Sequence, residues 1–309
     1  MTTSLISLEQ ACERLSKGQL VVVPTETVYG LAGDALYPSA IKNIYSVKKR
    51  PAKNPLIVHY ACVEDVKKDV VWTQEAEILA HAFWPGPLTL VLQRSTQCCI
   101  SELASSGYSS LAVRVPAHPI FHQLLTYYPH PLAAPSANPS GKLSPTRQQH
   151  IHRFFDDLFL LEGDLCLHGI ESTIVDARCS ALLLRAGAIA CSDIEHLLGY
   201  ALSKGVMQEA PGMMDSHYCP IKPLRIDVKA VLPTEGLLAF GPPLQGAQEV
   251  VQLSLERDLV KAAHLFFEAL HRLDQGSCES IAVMPIPNEG LGHTLNDRLH
   301  RASYKKALS

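Results

Sequence analysis

The chain lacks the signatures by which many nucleotide-using and hydrolytic enzymes declare themselves. Its 309 residues contain no GxxxxGKS or GxxxxGKT, which excludes a P-loop, and no GxGxxG, which removes the dinucleotide fingerprint. There is no HExxH to give His59 a zinc-binding partner, and Ser136 lies in no GxSxG elbow, so serine hydrolase chemistry is disfavoured. The nine cysteines form no CxxC pair, and the adjacent Cys98 and Cys99 do not build a zinc site, so no metal-ligating set is expected. An odd count without framework spacing points to reduced thiols and a cytoplasmic chain. No apolar run approaches the roughly 18 residues that a membrane helix needs, and residues 1–19 show no signal-peptide pattern. Charge is sparse as well. Only 18% of residues are charged and the formal net charge is -3, so no overall basic field draws the chain to nucleic acid, which leaves at most a local basic surface.

What is present is a globular composition, 47% hydrophobic with 21 prolines and 18 glycines, at a length for which two domains are the natural expectation. The pattern is organised around residues 20–59. Apolar runs at 20–23 and 56–58 read as short buried strands. Between them stand Thr25, Glu26, Thr27 and Tyr29, then Lys48, Lys49, Arg50, Lys53 and Asn54. Hydroxyls and a carboxylate leaving one buried strand, with cations entering the next, suit a pocket for an anionic ligand such as a phosphate or a carboxylate.

Along the chain, helical spacing predicts helices at 7–16 behind Ser7, behind Pro38, and at 75–83, 120–127, 147–155 and 193–198. Strands are expected at 88–92, 111–115, 158–161 and 173–176 and in LLLRAGAI, while the stretch with Gly30 and Gly33 and residues 98–110 read as loops. This alternation argues for a mixed α/β domain over residues 1–200, with antiparallel pairs because the spacing is irregular. Residues 201–229 read as a linker. Residues 230–309, with strands at 236–240 and 280–284 and helices at 259–273 and 291–307, form a small α/β unit expected to lean on the first domain or on a partner subunit for burial.

Two arginines interrupt apolar strands, Arg114 in LAVRV and Arg185 in LLLRAG. A buried arginine costs desolvation unless it is paired or meets an anion. The bland reading pairs them with Glu26, Glu171 or Asp176. The ligand reading gains from PSANPSG, whose hydroxyl, amide and backbone N–H groups suit phosphate oxygens. Taken alone, His59 is as readily an ordinary strand-end histidine, and Lys48-Lys49-Arg50 a solvated face. With no nucleophile beside a base, such a site would hold substrates and stabilise developing charge.

These segments together carry a family resemblance. PTETVYGLAGDA, the K-x-R of Lys48 and Arg50 followed by PLIVH, FWPGPLTLVL, LAVRVPAHP, APSANPSGKLSPT, GIESTIVD and LLRAGAI occur in order over residues 15–190 and resemble the YrdC/Sua5 family of L-threonylcarbamoyladenylate synthases. PGMMDSHYCP and the added C-terminal unit resemble its two-domain Sua5 type. The resemblance implies a twisted mixed parallel and antiparallel sheet with flanking helices, plus a small Rossmann-like α/β Sua5 domain. It implies the conversion of L-threonine, bicarbonate or CO2 and ATP to L-threonylcarbamoyl-AMP and diphosphate, the first step of a tRNA adenosine modification (t6A). It places L-threonine on Thr27, His59, Arg114, the backbone at Ala134 and Ser172. ATP falls to Lys48, Arg50, Asn54, Ser110, Ser136, Asn138, Ser144, Arg185 and Tyr218, with Lys48 and Arg50 as the catalytic pair. Mg2+ is expected with the ATP, and a downstream tRNA threonylcarbamoyl transferase as the partner that takes the product. Weak RNA binding is compatible with the family, and no membrane association is expected. Lys49 departs from the small residue common inside K-x-R and is expected to point away. With Tyr218 at the nucleotide, the linker is expected to fold over the pocket as a lid, packed through Met213 and Met214 and cleavable near Gly212.

Two other readings compete. A double-stranded RNA- or tRNA-binding or regulatory module without synthase activity would use a stripe of Lys48, Lys49, Arg50 and Lys53, with Lys142 and Arg147 nearby. Carbamoyl transfer of the kind used in hydrogenase maturation is disfavoured, because no zinc-finger or acylphosphatase-like segment is present.

Overall fold

The computed structural model describes residues 4–163, 166–205 and 217–303. Val21, Val22 and Val23 are fully buried, so their strand must have neighbours on both edges and cover on both faces. It lies inside an eleven-stranded sheet. Across that sheet the order is Ser4–Ile6, Phe159–Leu161, Val21–Val23, Gly30–Asp34, Leu132–Ala133, Ile57–His59, Ser110–Arg114, Leu88–Gln93, Thr173–Asp176, Leu182–Arg185 and Ser203–Lys204. Parallel and antiparallel pairs mix as the irregular spacing predicts: Ile57–His59 runs parallel to Ser110–Arg114, which is antiparallel to Leu88–Gln93. The register sets His59 opposite Arg114, so two parallel strands deliver polar side chains at the same level of their C-terminal ends. In open α/β sheets that edge is where ligands bind.

Local chemistry explains the flanking helices. Leu8–Ser16 starts at Ser7, whose hydroxyl accepts from the Gln10 N–H at 3.3 Å while the Gln10 side chain returns to the Ser7 N–H, a capping box. Pro38–Lys48 starts on proline and ends at Lys49, which adopts the left-handed region at φ 50°. That stop leaves Lys48 buried, Lys49 exposed and Arg50 half-buried on the following turn.

The largest departure from sequence expectation is Gly30–Asp34. It is a strand, antiparallel to Val21–Val23. Its glycines serve close approach rather than a turn: a Cβ on Gly33 would lie 2.9 Å from Leu20 Cδ2, and one on Gly30 would lie 3.3 Å from the Ala134 Cβ. Ser4–Ile6, Val63–Asp69 and Glu249–Ser254 were also not foreseen. The first is an edge strand with only Ile6 buried, and the second a short helix whose one buried apolar residue is Val66.

A second, four-stranded sheet is wholly parallel, in the order Leu224–Arg225, Ser280–Val283, Glu235–Phe240 and Glu249–Ser254. Helices Leu259–Gln275 and Leu291–Ser303 accompany it; Asp258 caps the former by accepting from the N–H groups of Val260 and Lys261 at 2.7 and 3.1 Å. Of the stretch read as a linker, Ser203–Lys204 joins the edge of the first sheet and Leu224–Arg225 the edge of the second. Gly212, Met213 and Met214, on which the lid reading rests, lie outside the described residues, as do residues 304–307 of the last expected helix.

The two units share burial. Phe266, Phe267, Leu270 and Leu273 form one cluster with Val28, Leu143, Ile170 and Tyr218. Gly169, at φ 68°, lets its loop press on Leu259–Gln275, where a Cβ would meet the His264 carbonyl oxygen at 2.0 Å. No helix among the described residues is long and apolar enough to cross a membrane.

This common core has a measurable consequence. Phe267→Ala should cost about 3 to 5 kcal/mol, the usual range for a buried phenylalanine, and lower the midpoint of a single cooperative denaturant transition. Two separate transitions, with only one of them shifted, would contradict the shared core.

Candidate active site

The site begins with the turn after Val21–Val23. Thr25 Oγ1 accepts from the backbone N–H groups of Thr27 and Val28, each at 3.1 Å, and lies 2.8 Å from the Thr27 hydroxyl. Such a hydroxyl-anchored turn fixes a loop without regular structure. It aims Thr27 at Arg114, whose three guanidinium nitrogens are all engaged. Nε donates to the Gly86 carbonyl at 3.0 Å, one terminal nitrogen to Thr27 Oγ1 at 3.1 Å, and the other to Glu26 Oε1 at 2.6 Å. The bland reading of Arg114, a pair with Glu26, is therefore present, and Arg114 lines the cavity as well. Burial pushes the Glu26 carboxyl up, but Arg114 and the Ala117 N–H outweigh it and hold the pKa below its ordinary value.

His59 ends its strand against Phe121, ring centres 5.3 Å apart, and is held neutral: burial first, then Arg114, lowers its pKa to about 3. Its Nδ1 is buried with no partner among the described residues. Ala134, Pro135 and Ser136 follow Leu132–Ala133 and pass Gly30, which bridges to Ser136. Ser172 precedes Thr173–Asp176 and shares a hydroxyl contact with Thr89 at 2.8 Å. Its carbonyl accepts from Arg185 at 2.8 Å. The register shifts between Leu183 and Arg185, so that Arg185 pairs with Ile174 at the end of the ladder.

One cavity gathers Thr27, His59, Arg114, Ala134, Ser172, Arg50, Ser136, Arg185 and Tyr218. All five residues expected at threonine are in its wall, with four of those expected at ATP. Lys48, Asn54, Ser110, Asn138 and Ser144 stand behind the wall. The Lys48 ammonium donates to the carbonyls of Ser136 and Asn138, so it braces the PSAN loop. Asn54 accepts from Arg50 at 2.6 Å, and Ser144 donates to Glu171 at 2.6 Å. Asn138 turns its amide to the Lys142 carbonyl at 2.8 Å, and Ser110 lies at the far end of its strand from Arg114. Thr25 and Pro135, from the expected hydroxyl turn and the PSAN loop, line the wall too, whereas Val28, Gly30, Ile57, Glu171 and His217 were not expected there. For Glu171 and His217 a signal existed, since each directly precedes an expected site residue.

The electrostatics are lopsided. Arg50 donates to the carbonyls of Asn54 and Pro55 and to the Asn54 side chain, and Lys48 to two carbonyls, all neutral acceptors. Burial, with Arg50 adding, drives the Lys48 pKa well below 10.5, and burial lowers Arg50 to about 10. His217 is likewise kept neutral, by burial and then by Arg50 and Lys48. Tyr218 adopts φ 60° and is buried between Phe267, at 5.6 Å, and Arg298, at 5.1 Å. Buried cations facing neutral oxygens form a receptor for an anion.

The residues of the RNA stripe divide: Lys142 is exposed and Arg50 half-buried. Lys48 is buried, Lys49 and Lys53 are exposed, and Arg147 is ion-paired with Glu268.

An anion entering the cavity should raise the Lys48 pKa, so binding takes up a proton at any pH between the depressed and ordinary values. Calorimetry of ATP binding at a series of pH values from about 7.5 upward, above the last phosphate ionisation at about 6, in buffers of different ionisation enthalpy should show a pH range of net uptake that Lys48→Met removes. Proton release, or uptake unchanged in that variant, would contradict the assignment.

Comparison with known proteins gives a consistent picture. Residues 13–187 match the Sua5, YciO and YrdC family model, described as telomere recombination, and residues 189–303 match the threonylcarbamoyl-AMP synthase C-terminal domain. The chain is 36% identical to the threonylcarbamoyl-AMP synthase of Pyrococcus abyssi, over 94% of this chain and 92% of that one. It is 32% identical to the enzyme of the same name from Bacillus subtilis, over 98% and 94%. The crystal structure of P. abyssi Sua5 complexed with L-threonine superposes with a TM-score of 0.87 at 32% identity, covering 98% of each chain.

Proposed function

The chain belongs to the Sua5/YrdC family of threonylcarbamoyl-AMP synthases, and from that premise we propose how its cavity makes L-threonylcarbamoyl-AMP and diphosphate from L-threonine, bicarbonate or CO2, and ATP. The observation that carries the proposal is the meeting, in one cavity, of a hydroxyl- and arginine-lined end with an end walled by Arg50 and Arg185. L-Threonine occupies the first end. Arg114, pre-oriented by Glu26 and Thr27, takes the carboxylate through a charge-assisted contact. Neutral His59 offers an acceptor to the substrate's amine or hydroxyl, and Ser172 and the Ala134 backbone fix the remaining polar groups. The free amine adds to CO2 and loses a proton to solvent, and the carboxylate oxygen of the resulting carbamate attacks the α-phosphorus of ATP as diphosphate leaves.

At the other end Arg50 and Arg185 receive the phosphates and the charge that grows on the leaving diphosphate, while Lys48 holds the Ser136–Asn138 loop against them. The two ends hold the carbamate and the α-phosphorus in reach of one another, and no enzyme-bound covalent intermediate is required. No cluster of three His, Cys, Asp or Glu side chains suited to a metal occurs among the described residues. Among the described residues the cavity wall carries a single carboxylate, Glu171, which Arg298 and Ser144 already engage, so Mg2+ would be carried by the ATP phosphates themselves and supply charge neutralisation there. The nine free thiols suit a cytoplasmic enzyme that passes its labile product to a tRNA threonylcarbamoyl transferase.

Incubation of the full chain with labelled bicarbonate, L-threonine and ATP should yield labelled threonylcarbamoyl-AMP and diphosphate in equal amounts. Arg50→Ala should remove the product while keeping the melting profile. Binding of bulk tRNA without adenylate synthesis would instead favour the RNA module. Arg114→Lys should weaken threonine by about 1.5 to 3 kcal/mol, the worth of a hydrogen bond to a charged group, and ATP far less. Equal losses by calorimetry would make Arg114 a purely structural strand residue.

A further inference from the structure

Arg298 is the largest fully buried side chain among the described residues, and it belongs to the C-terminal helix Leu291–Ser303. It does not line the cavity, yet it touches two residues that do. Its Nε donates to Glu171 Oε2 at 3.2 Å, and its guanidinium lies over the Tyr218 ring at 5.1 Å. Its remaining nitrogens donate to the Ala186 carbonyl at 2.7 Å and to Asp297 at 2.8 Å. Thr294, one turn earlier, donates to the Gly187 carbonyl at 3.0 Å. The helix thus grips two of the segments that carry cavity residues, Glu171-Ser172 and Arg185-Ala186. Glu171 is held from two sides, by Arg298 on Oε2 and by Ser144 on Oε1 at 2.6 Å.

Resting on the synthase reading, we propose that Arg298 is a positioning residue that engages Glu171 so that its charge is not spent on Arg185, keeping the nucleotide end of the cavity positive. Glu171 is next in sequence to Ser172, whose carbonyl and hydroxyl both accept from Arg185, so the carboxylate is within electrostatic reach of that cation. With Arg298 in place, Glu171 is neutralised from behind the wall. Without it, a buried carboxylate has to find another cation, and Arg185 and Arg50 are the cavity cations through which ATP is held. The same loss unpins Tyr218. In this account the C-terminal unit governs the charge of an active site to which its own two long helices contribute no wall residue.

Steady-state kinetics on the full chain separate this from a general structural role. Arg298→Met keeps the volume and removes the charge; KM for ATP should rise about tenfold, a difference of about 1.4 kcal/mol, while KM for threonine changes less than about twofold. Arg298→Lys should fall between wild type and Arg298→Met. Adding Glu171→Gln to Arg298→Met removes the stranded carboxylate and should return the ATP KM most of the way to wild type. Should Arg298→Met fail to fold, the double variant alone carries the reading: an ATP KM near wild type agrees, and a rise shared with threonine overturns it. A double variant no better than the single one, or parallel rises for both substrates, also overturns it. Wild-type chain that makes no adenylate overturns the synthase reading instead, whereas active wild type with unsplit variants overturns only the role of Arg298.

Discussion

The structure depends on cations buried against neutral oxygens. Lys48 sits in the interior with two backbone carbonyls as acceptors, and Arg50 is bonded to two carbonyls and an amide oxygen. A fully buried ion such as Lys48 carries an effective burial penalty of several kcal/mol, set against a total stability of about 5 to 15 kcal/mol for a native fold. A site of this kind survives only where surrounding packing over-determines it. Here the surroundings are an eleven-stranded sheet below and a core shared with the C-terminal unit at one side.

Seen this way, the two units are parts of one device. The first sheet brings His59 and Arg114 to one level by parallel register, and the end of the Leu182–Arg185 strand adds Arg185 to the same cavity wall. The second unit contributes little to the wall of the cavity, but Val28, Ile170 and Tyr218, which neighbour or form that wall, are buried in its hydrophobic cluster. Gly169 allows the contact because only a residue without Cβ fits against the His264 carbonyl. The stability that holds the cations in place is therefore supplied partly from outside the catalytic sheet.

Much of this was legible in the amino-acid sequence, for physical reasons. Arg114 and Arg185 stand out because a charge inside an apolar strand requires an explanation, and the threonine-rich turn stands out because a core has no use for hydroxyls. Other features were not legible. Gly30 and Gly33 signal a loop in sequence, yet serve a strand, since close approach to Leu20 and Ala134 is a tertiary fact. Lys48 and Arg50 look equivalent as K-x-R, but helix geometry and the left-handed stop at Lys49 send one behind the wall and the other into it. Arg298 and Glu171 lie far apart in the chain, so nothing local announces their ion pair.

Lys48 and Arg50 meet only neutral acceptors among the described residues, and their counter-charge is to come from an arriving anion. Equilibrium denaturation of the full chain with and without diphosphate, at matched ionic strength in chloride, tests this most directly. Linkage predicts a stability gain of about 2.7 kcal/mol at a hundred times the dissociation constant, and Arg50→Met should lose most of it. A chain that gains no more from diphosphate than from chloride, or an Arg50→Met variant that gains as much as wild type, would contradict the account.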